Sequence, residues 1–263
     1  MCQDFDNPFG GQDVAIVHTE SDMTPGSHHL HVFYGADSPP SKTIAPCANP
    51  LEFRSLLHIA VAPHYEITYP AGMAASLRGS LGLRLQSHYI NTTTDPLDAM
   101  VTVRLKKTDP TTIQNWVAQF YYDRVQLSVP PGENQQVTTS CTVPGNYGKI
   151  GLLSAISHMH SRGTHFVAST STGVKLIETD DWEGGSPIVY DPPVMLSPGD
   201  SVTWTCTYNN TTGQTLVFGD SAAKNEMCIY IARFYSSPDG NDIECQSPYP
   251  MGMGAVTRLP AGM

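Results

Sequence analysis

The stretch DVAIVHTESDMTPGSHHLHVF, residues 13–33, places two strand-like apolar runs on either side of the turn signal Thr24-Pro25-Gly26. The same pattern recurs in RVQLSV (124–129), which precedes Pro130-Pro131-Gly132. Short apolar runs between such turns are typical of β-sheet. The chain therefore predicts an all-β protein built of sandwiches. LEFRSLLHIA (51–60) is the one segment for which a helix can be argued.

The length of 263 residues suits two domains of ordinary size. The most polar and turn-prone segment near the middle is LKKTDPTTIQ (105–114). We place the domain boundary within it, which predicts domains 1–110 and 111–263.

Charge and hydropathy exclude two classes of partner. The formal charge is −10 and no cluster of Lys and Arg exists, so nucleic acid is not expected to bind. No apolar run is long enough for a transmembrane helix. The first residues, MCQDFDNPFGG, contain no basic or apolar leader segment, so we expect a mature form whose export signal was removed.

The six cysteines include no Cys-x-x-Cys pair and predict disulfides rather than a zinc or redox motif. Disulfides form in oxidising compartments. Three sequons, Asn91-Thr92-Thr93, Asn209-Asn210-Thr211 and Asn210-Thr211-Thr212, suit an exported chain. We expect secretion, or a secretory or periplasmic lumen.

Two histidine groups have spacings that matter for metal binding. In SHHLHVF (27–33), strand alternation pairs His29 with His31 and sends His28 to the other face, unless the backbone bends. In SAISHMHSRG (154–163), His158 and His160 project from one face of a strand and can converge on an ion. Two polar residues on the wet face of a sheet would give the same pattern.

Two further strands carry related residues. EMCIYIARFY (226–235) offers Met227, whose thioether suits Cu(I), although core packing is the commoner role of methionine. LGLRLQSHYI (81–90) alternates, so that His88 lies on a polar face beside Gln86. A solvent-exposed strand histidine is the alternative for His88.

Four of these segments, HHLHVF, LQSHY, HMH and NEMCIY, resemble in order the motifs of the copper type II ascorbate-dependent monooxygenases. This is the family of peptidylglycine α-hydroxylating monooxygenase and dopamine β-monooxygenase, and the resemblance covers nearly the whole chain. It implies two antiparallel, jelly-roll-like β-sandwich domains that face each other across a cleft. It also implies one copper bound by His28, His29 and His88, and another by His158, His160 and Met227. His31 is then a surface residue or one that supports a ligand.

The resemblance further implies how the protein works. In the family, ascorbate reduces both coppers, O₂ and a small-molecule substrate meet at the His₂Met copper, and the His₃ copper delivers an electron. Gln86 matches a glutamine that helps to link the sites in some members; the alternative is a polar residue on a wet face. The implied disulfides are Cys2–Cys47, Cys141–Cys245 and Cys206–Cys228.

The chain departs from the family at the substrate. Members that act on peptidylglycine hold its carboxylate with an arginine, an asparagine and a tyrosine, and those positions are Ile156, Ile229 and Ile231 here. A carboxylate beside apolar side chains loses solvation. We therefore expect a substrate with an apolar reacting end. The alternatives are a catalytically inactive copper-binding or extracellular interaction protein on the same scaffold and a hydrolase, for which no nucleophile motif is present.

Overall fold

A computed structural model describes the fold of residues 1–34, 43–47, 56–122, 127–182, 185–219, 221–237, 240–246 and 255–259. Within these ranges the regular structure is β-strand, apart from one 3-10 turn at Pro110–Thr112. Asp109 caps this turn by accepting a hydrogen bond from the Thr111 N–H. The prediction of an all-β protein is confirmed.

Among the described residues, no helix has the length and apolar character needed to cross a membrane.

The chain forms two compact units. The first comprises Met1–Val117 with two short later segments, and the second comprises Ala118–Ser237 with Asp242–Arg258. The assignment of one copper to each of the domains 1–110 and 111–263 stays a prediction.

The first unit contains eight complete strands in two groups. Strands β1, β7, β3 and β4 form an antiparallel sheet in that order, and β2 pairs with β5, β6 and β8. The strands are β1 (Cys2–Phe5), β2 (Val14–Met23), β3 (Ser27–Tyr34), β4 (Leu56–Ala60), β5 (His64–Thr68), β6 (Met73–Leu77), β7 (Leu83–Tyr89) and β8 (Val101–Thr108).

The second unit contains an antiparallel sheet of β11, β16, β13 and β14, and a further group in which β12 lies between β15 and β18. Its strands are β9 (Asn115–Tyr122), which begins in the first unit, β10 (Ser128–Val129), β11 (Gly132–Thr142), β12 (Ile150–His158), β13 (Gly163–Thr170), β14 (Lys175–Thr179), β15 (Ile188–Leu196), β16 (Ser201–Asn210), β17 (Leu216–Val217), β18 (Ile229–Ser237), β19 (Asp242–Gln246) and β20 (Ala255–Leu259).

One buried core joins the two sheets of the second unit. Trp204 from β16 and Phe166 from β13 belong to the same apolar cluster as Leu152 from β12 and Tyr230 from β18. Trp204 and Tyr230 stack with ring centroids 5.5 Å apart. Side chains from two facing sheets thus share one interior, which is the sandwich-like packing expected from the sequence.

The pairing is not antiparallel throughout. Strand β9 runs parallel to β6 in the first unit and parallel to β19 in the second. Parallel neighbours need long connections, and β9 is far along the chain from both partners. Alternation within a strand does not reveal such pairings.

The segment 51–60, for which a helix was arguable, contains strand β4 at Leu56–Ala60, and residues 51–55 lie outside the described residues. All five residues of β4 are buried, and the strand pairs with β3. A strand buried on both faces lacks alternation and cannot be told from a buried helix by its pattern.

The structure joins the six cysteines as Cys2–Cys47, Cys141–Cys245 and Cys206–Cys228. These are the pairs that the resemblance implies. The two bridges of the second unit lie in its core, where all four cysteines are fully buried. They indicate an oxidising, secretory-type environment.

The two core bridges enclose loops of very different length, with separations of 104 residues for Cys141–Cys245 and 22 for Cys206–Cys228. Because a cross-link restricts the unfolded chain more when the loop is longer, we expect Cys141→Ala/Cys245→Ala to lose about 4 to 5 kcal/mol of unfolding free energy, and Cys206→Ala/Cys228→Ala about 3 kcal/mol. Urea unfolding followed by tryptophan fluorescence measures both losses. A larger loss for the shorter loop would contradict the expectation.

Candidate metal sites

The adjacent histidines of SHHLHVF lie at an irregularity in strand β3. Ser27 pairs with Tyr89 of β7 and His29 pairs with His88, so the register advances two residues on β3 for one on β7. His28 is the extra residue of this β-bulge. Because a bulge interrupts alternation and redirects side chains, it permits His28 and His29 to turn to the same side.

His28, His29 and His88 form a compact group. Each offers a ring nitrogen, and these three atoms lie within 4.8 Å of one another. The ring centroids are 5.0–5.2 Å apart. An imidazole nitrogen binds a metal at about 2 Å, so ligands of one ion are up to about 4 Å apart. The group is therefore close to the geometry of a three-histidine site.

His31 lies behind this group and contacts His29, with stacked rings 4.7 Å apart. Its Nδ1–H donates to Gln86 Oε1 at 3.0 Å. Burial lowers the pKa of His31 to about 4, which the Gln86 hydrogen bond opposes in part. His31 is buried, so the alternative that it is a surface residue is wrong. The sequence pattern assigns His31 to a face of the strand but does not reveal that this face is covered.

The polar face of β7 is also enclosed. Gln86 is buried, and Arg84 forms a two-point ion pair with Asp4, with Nε to Oδ1 at 2.6 Å and Nη2 to Oδ2 at 2.8 Å. The wet-face interpretation of Gln86 is therefore wrong, because its amide meets His31 on the neighbouring strand. Whether Gln86 links two copper sites stays a prediction.

The second group begins where β12 ends. His158 is the last residue of β12, and His160 lies beyond it in a turn closed by the Gly163 N–H donating to the His160 carbonyl at 2.8 Å. The rings are 5.4 Å apart and nearly perpendicular. Both residues are buried, so the wet-face alternative is wrong. Alternation predicts both residues on one strand, but β12 ends at His158 and His160 lies outside it.

Backbone contacts fix the orientation of His160. Its Nδ1–H donates to the carbonyl oxygen of Asn225 at 3.0 Å. In the neutral ring this bond leaves the lone pair on Nε2, which is the tautomer required of a ligand that binds through Nε2.

Glu226 connects the histidine turn to the segment that carries Met227. Its fully buried carboxylate accepts the backbone N–H of His160 at 3.0 Å and that of Arg162 at 3.1 Å. Burial raises the pKa of Glu226, and these two hydrogen bonds oppose the shift. The Arg162 guanidinium lies 3.8 Å from the same carboxylate.

Met227 itself is buried and precedes strand β18, which begins at Ile229. Its carbonyl oxygen accepts a hydrogen bond from the Tyr208 hydroxyl at 2.7 Å. The next carbonyl, of Cys228, accepts one from Trp204 Nε1 at 3.3 Å, and Cys228 is cross-linked to Cys206. Strand β16 thus holds this segment by three separate contacts.

Three isoleucines lie on the face of β12 and β18 that carries His158. Ile156 pairs with Ile231, and His158 pairs with Ile229, so these four residues project to one side. The isoleucines are 4–5% exposed and do not belong to the described core cluster, whereas Ala155 and Tyr230 do. The part of this face next to His158 is therefore apolar and buried, and the buried Arg233, paired with Ser154, lies further along it.

A third group, Glu20, Asp22 and His64, has metal-like spacing but a different character. The Arg104 guanidinium donates to both carboxylates, and His64 Nδ1 lies 2.8 Å from Asp22 Oδ1. Arg104 and then His64 lower the pKa of Asp22, and the Asp22 bond raises that of His64. A guanidinium already pairs with both acids, so the group is an exposed ion-pair network.

One Ser–His contact bears on the hydrolase alternative. His58 lies between Thr19 Oγ1 at 2.8 Å from Nδ1 and Ser21 Oγ at 2.9 Å from Nε2. All three residues are fully buried, so the serine has no route to a substrate. The contact satisfies buried polar groups instead.

The family model for the C-terminal domain of copper type II ascorbate-dependent monooxygenases matches residues 117–254. The chain belongs to this family. Family membership, predicted from the four motifs, is therefore confirmed, and with it membership of a copper- and ascorbate-dependent class of oxidoreductases; the matched residues contain the motifs HMH and NEMCIY.

Solved structures offer only distant likenesses. The VP2 subviral particle of infectious bursal disease virus is 12% identical over 86% of this chain, with a TM-score of 0.23, and the chain spans 57% of that protein. The Gx strain of the same virus is 11% identical over 86% of this chain and 57% of the other, with a TM-score of 0.21. At these TM-scores the likeness supports no conclusion about fold or function.

The contacts that hold the second group are not predicted by the sequence pattern. Glu226 stands in the NEMCIY motif, directly before the apolar run Met227–Ile231, and a charge at such a position can be buried if it has partners. Trp204, Cys206 and Tyr208 share one face of β16 by alternation, which identifies them as core residues. Their hydrogen bonds to the Met227 segment leave no trace in the pattern.

The role of Glu226 is tested by stability. Glu226→Ala leaves the buried N–H of His160 and the partly buried N–H of Arg162 without this acceptor, and a buried unpaired group costs about 1–3 kcal/mol. Glu226→Gln keeps one acceptor oxygen and should lose less unfolding free energy than Glu226→Ala. Urea unfolding of the copper-free protein measures both, with Glu178→Ala, an exposed glutamate of the same unit, as the control. Equal effects of Glu226→Ala and Glu178→Ala would contradict this role.

Proposed function

We propose that the protein is a copper-dependent monooxygenase that hydroxylates a C–H bond with O₂ and a one-electron reductant such as ascorbate. The observation that carries this proposal is the group of three ring nitrogens, within 4.8 Å of one another, that the bulge in β3 creates in a chain of this family. The partners are O₂ and a small-molecule substrate. The three disulfides support secretion or a secretory or periplasmic lumen as its location.

The residues present fit two copper ions in separate sites. His28, His29 and His88 would hold the first, in domain 1–110, and His158, His160 and Met227 the second, in domain 111–263. Imidazole suits both Cu(II) and Cu(I), and a thioether favours Cu(I). When bound, copper would supply one-electron transfer at the first site and reaction with O₂ at the second.

The protein's own groups prepare these ligands. The Asn225 carbonyl holds His160 in the tautomer with a free Nε2, and the Glu226 carboxylate ties its backbone to the segment before Met227. His31 supports the ring of His29 and is itself fixed by Gln86. We propose Gln86 as a residue that also helps to link the two sites.

The proposal predicts two copper ions per chain in reconstituted protein. His88→Ala and His158→Ala should each retain one, because each removes a ligand of one site only. His165→Ala, which replaces an exposed histidine bonded to Asp180, should retain two and serves as the control. Elemental analysis after dialysis gives the count. One ion in the unchanged protein, or two in His88→Ala, would contradict the two-site proposal.

Met227→Leu refines the same test. This change conserves volume and should keep two ions at high copper, but the reduced protein should lose its copper–sulfur contact in X-ray absorption. Ascorbate-driven oxygen consumption should fall with it. Unchanged oxygen consumption would remove Met227 from the proposed site.

The substrate is proposed to be apolar at its reacting end. Ile156, Ile229 and Ile231 form a buried apolar patch beside His158. The one lysine or arginine in the described strands β12 and β18 is the buried Arg233, which lies two residues beyond Ile231 and pairs with Ser154. Transfer of a polar group from water to an apolar environment without a hydrogen bond costs about 2–7 kcal/mol, and transfer of a charged carboxylate costs more. A substrate carboxylate beside these isoleucines would incur this cost. Peptidylglycine is therefore not the expected substrate.

This specificity is tested with a glycine-extended peptide, its methyl ester and a panel of amines and hydrocarbons. The reduced copper protein is mixed with each compound and then with O₂, and hydroxylated product is measured by mass spectrometry. We expect the ester to react at least as well as the acid, and apolar compounds to react best. Strong dependence on the free carboxylate would overturn the substrate proposal. Reoxidation without product across the panel would favour the inactive copper-binding protein.

A further inference from the structure

Two sequons of identical sequence form the same turn in different units. After β7, the Asn91 Oδ1 accepts the Thr93 N–H at 2.9 Å and the Thr93 hydroxyl at 2.8 Å. At the end of β16, the Asn210 Oδ1 accepts the Thr212 N–H at 3.0 Å and its hydroxyl at 2.6 Å. In each Asn-Thr-Thr segment, hydrogen bonds from the second threonine to the asparagine side chain stabilise the turn.

The closing contacts are also equivalent. Asn91 Nδ2 donates to the Asp95 carbonyl at 2.8 Å, and Asn210 Nδ2 donates to the Gln214 carbonyl at 2.9 Å. The two turns therefore differ in surroundings and not in local geometry, and one can serve as the internal reference for the other.

The surroundings decide whether the amide has room for a substituent. Asn210 is 2% exposed, and its Nδ2 also donates to the Val129 carbonyl at 2.8 Å, so both amide hydrogens are used. Asn91 is exposed. Among the described residues its Nδ2 makes one hydrogen bond, to the carbonyl oxygen of Asp95. The second amide hydrogen of Asn91 is available.

Asn-x-Thr is the acceptor motif for N-linked glycans. In that transfer the asparagine Nδ2 loses a proton and forms a bond to the first sugar carbon, while the bond from that carbon to a lipid-linked pyrophosphate breaks. Asn91 can carry the sugar and still donate its remaining hydrogen to Asp95. At Asn210 a sugar would displace the hydrogen bond to Val129 and would have to fit a buried site.

We propose that Asn91 carries an N-linked glycan when the chain passes through a secretory compartment with an oligosaccharyltransferase and its lipid-pyrophosphate donor. Asn210 is excluded by the fold. The glycan would stand three residues beyond His88, on the loop that follows β7. The inference is independent of copper binding and of catalysis.

The test expresses the full chain behind an export leader in a eukaryotic host. Secreted protein is treated with peptide N-glycosidase in heavy-oxygen water, which labels each formerly glycosylated asparagine as aspartate, and peptide mass spectrometry then locates the label. Mapping by site is required because Asn209, which begins the overlapping sequon, is also exposed. We expect the label at residue 91 in most molecules and none at residue 210.

Two variants provide matched controls. Asn91→Asp keeps the oxygen that accepts from Thr93 but cannot be glycosylated, so it should fold and lose the label. Thr93→Ser keeps a hydroxyl and the sequon, so it should retain the label. Circular dichroism and the resistance of the buried disulfides to reduction check that each variant folds. An unmodified Asn91 in folded, secreted protein, or a label at residue 210, would overturn the proposal.

Discussion

A β-strand presents only every second side chain to one face, and both candidate metal sites depend on a local departure from that rule. In β3 the departure is the bulge at His28, which permits neighbouring histidines to face the same way. In β12 it is the end of the strand at His158, after which His160 approaches from a turn. Met227 likewise lies just before β18 begins. Irregular backbone therefore occurs at the proposed ligands.

Such departures leave backbone groups without ladder partners, and the protein satisfies them with buried side chains. Glu226 accepts two N–H groups of the histidine turn, and Tyr208 donates to the carbonyl of Met227. Burial removes water from the Glu226 carboxylate and raises its pKa, and the hydrogen bonds from His160 and Arg162 oppose this shift without cancelling it. The same contacts also fix the positions of the ligands.

The sequence predicted the features that depend on local patterns of residues, namely the fold class and the family. Turn signals and apolar runs indicated an all-β chain, and the four motifs indicated the family. Residues whose environment is set by distant strands were predicted less well: His31 and Gln86 were open to a surface interpretation, because alternation assigns a face but not what covers it. The parallel pairing of β9 was missed for a related reason, since strand direction depends on connections that no window of sequence contains.

The two candidate sites differ in what surrounds them within their own units. Behind the three-histidine group lie His31 and Gln86, hydrogen-bonded to each other, and the Arg84–Asp4 ion pair lies on the same face of β7. Beside His158 lie isoleucines. A polar, hydrogen-bonded environment accommodates a change of charge with little rearrangement, whereas an apolar face excludes water and admits a C–H bond. This contrast matches the proposed division between electron transfer at the first site and oxygen chemistry at the second.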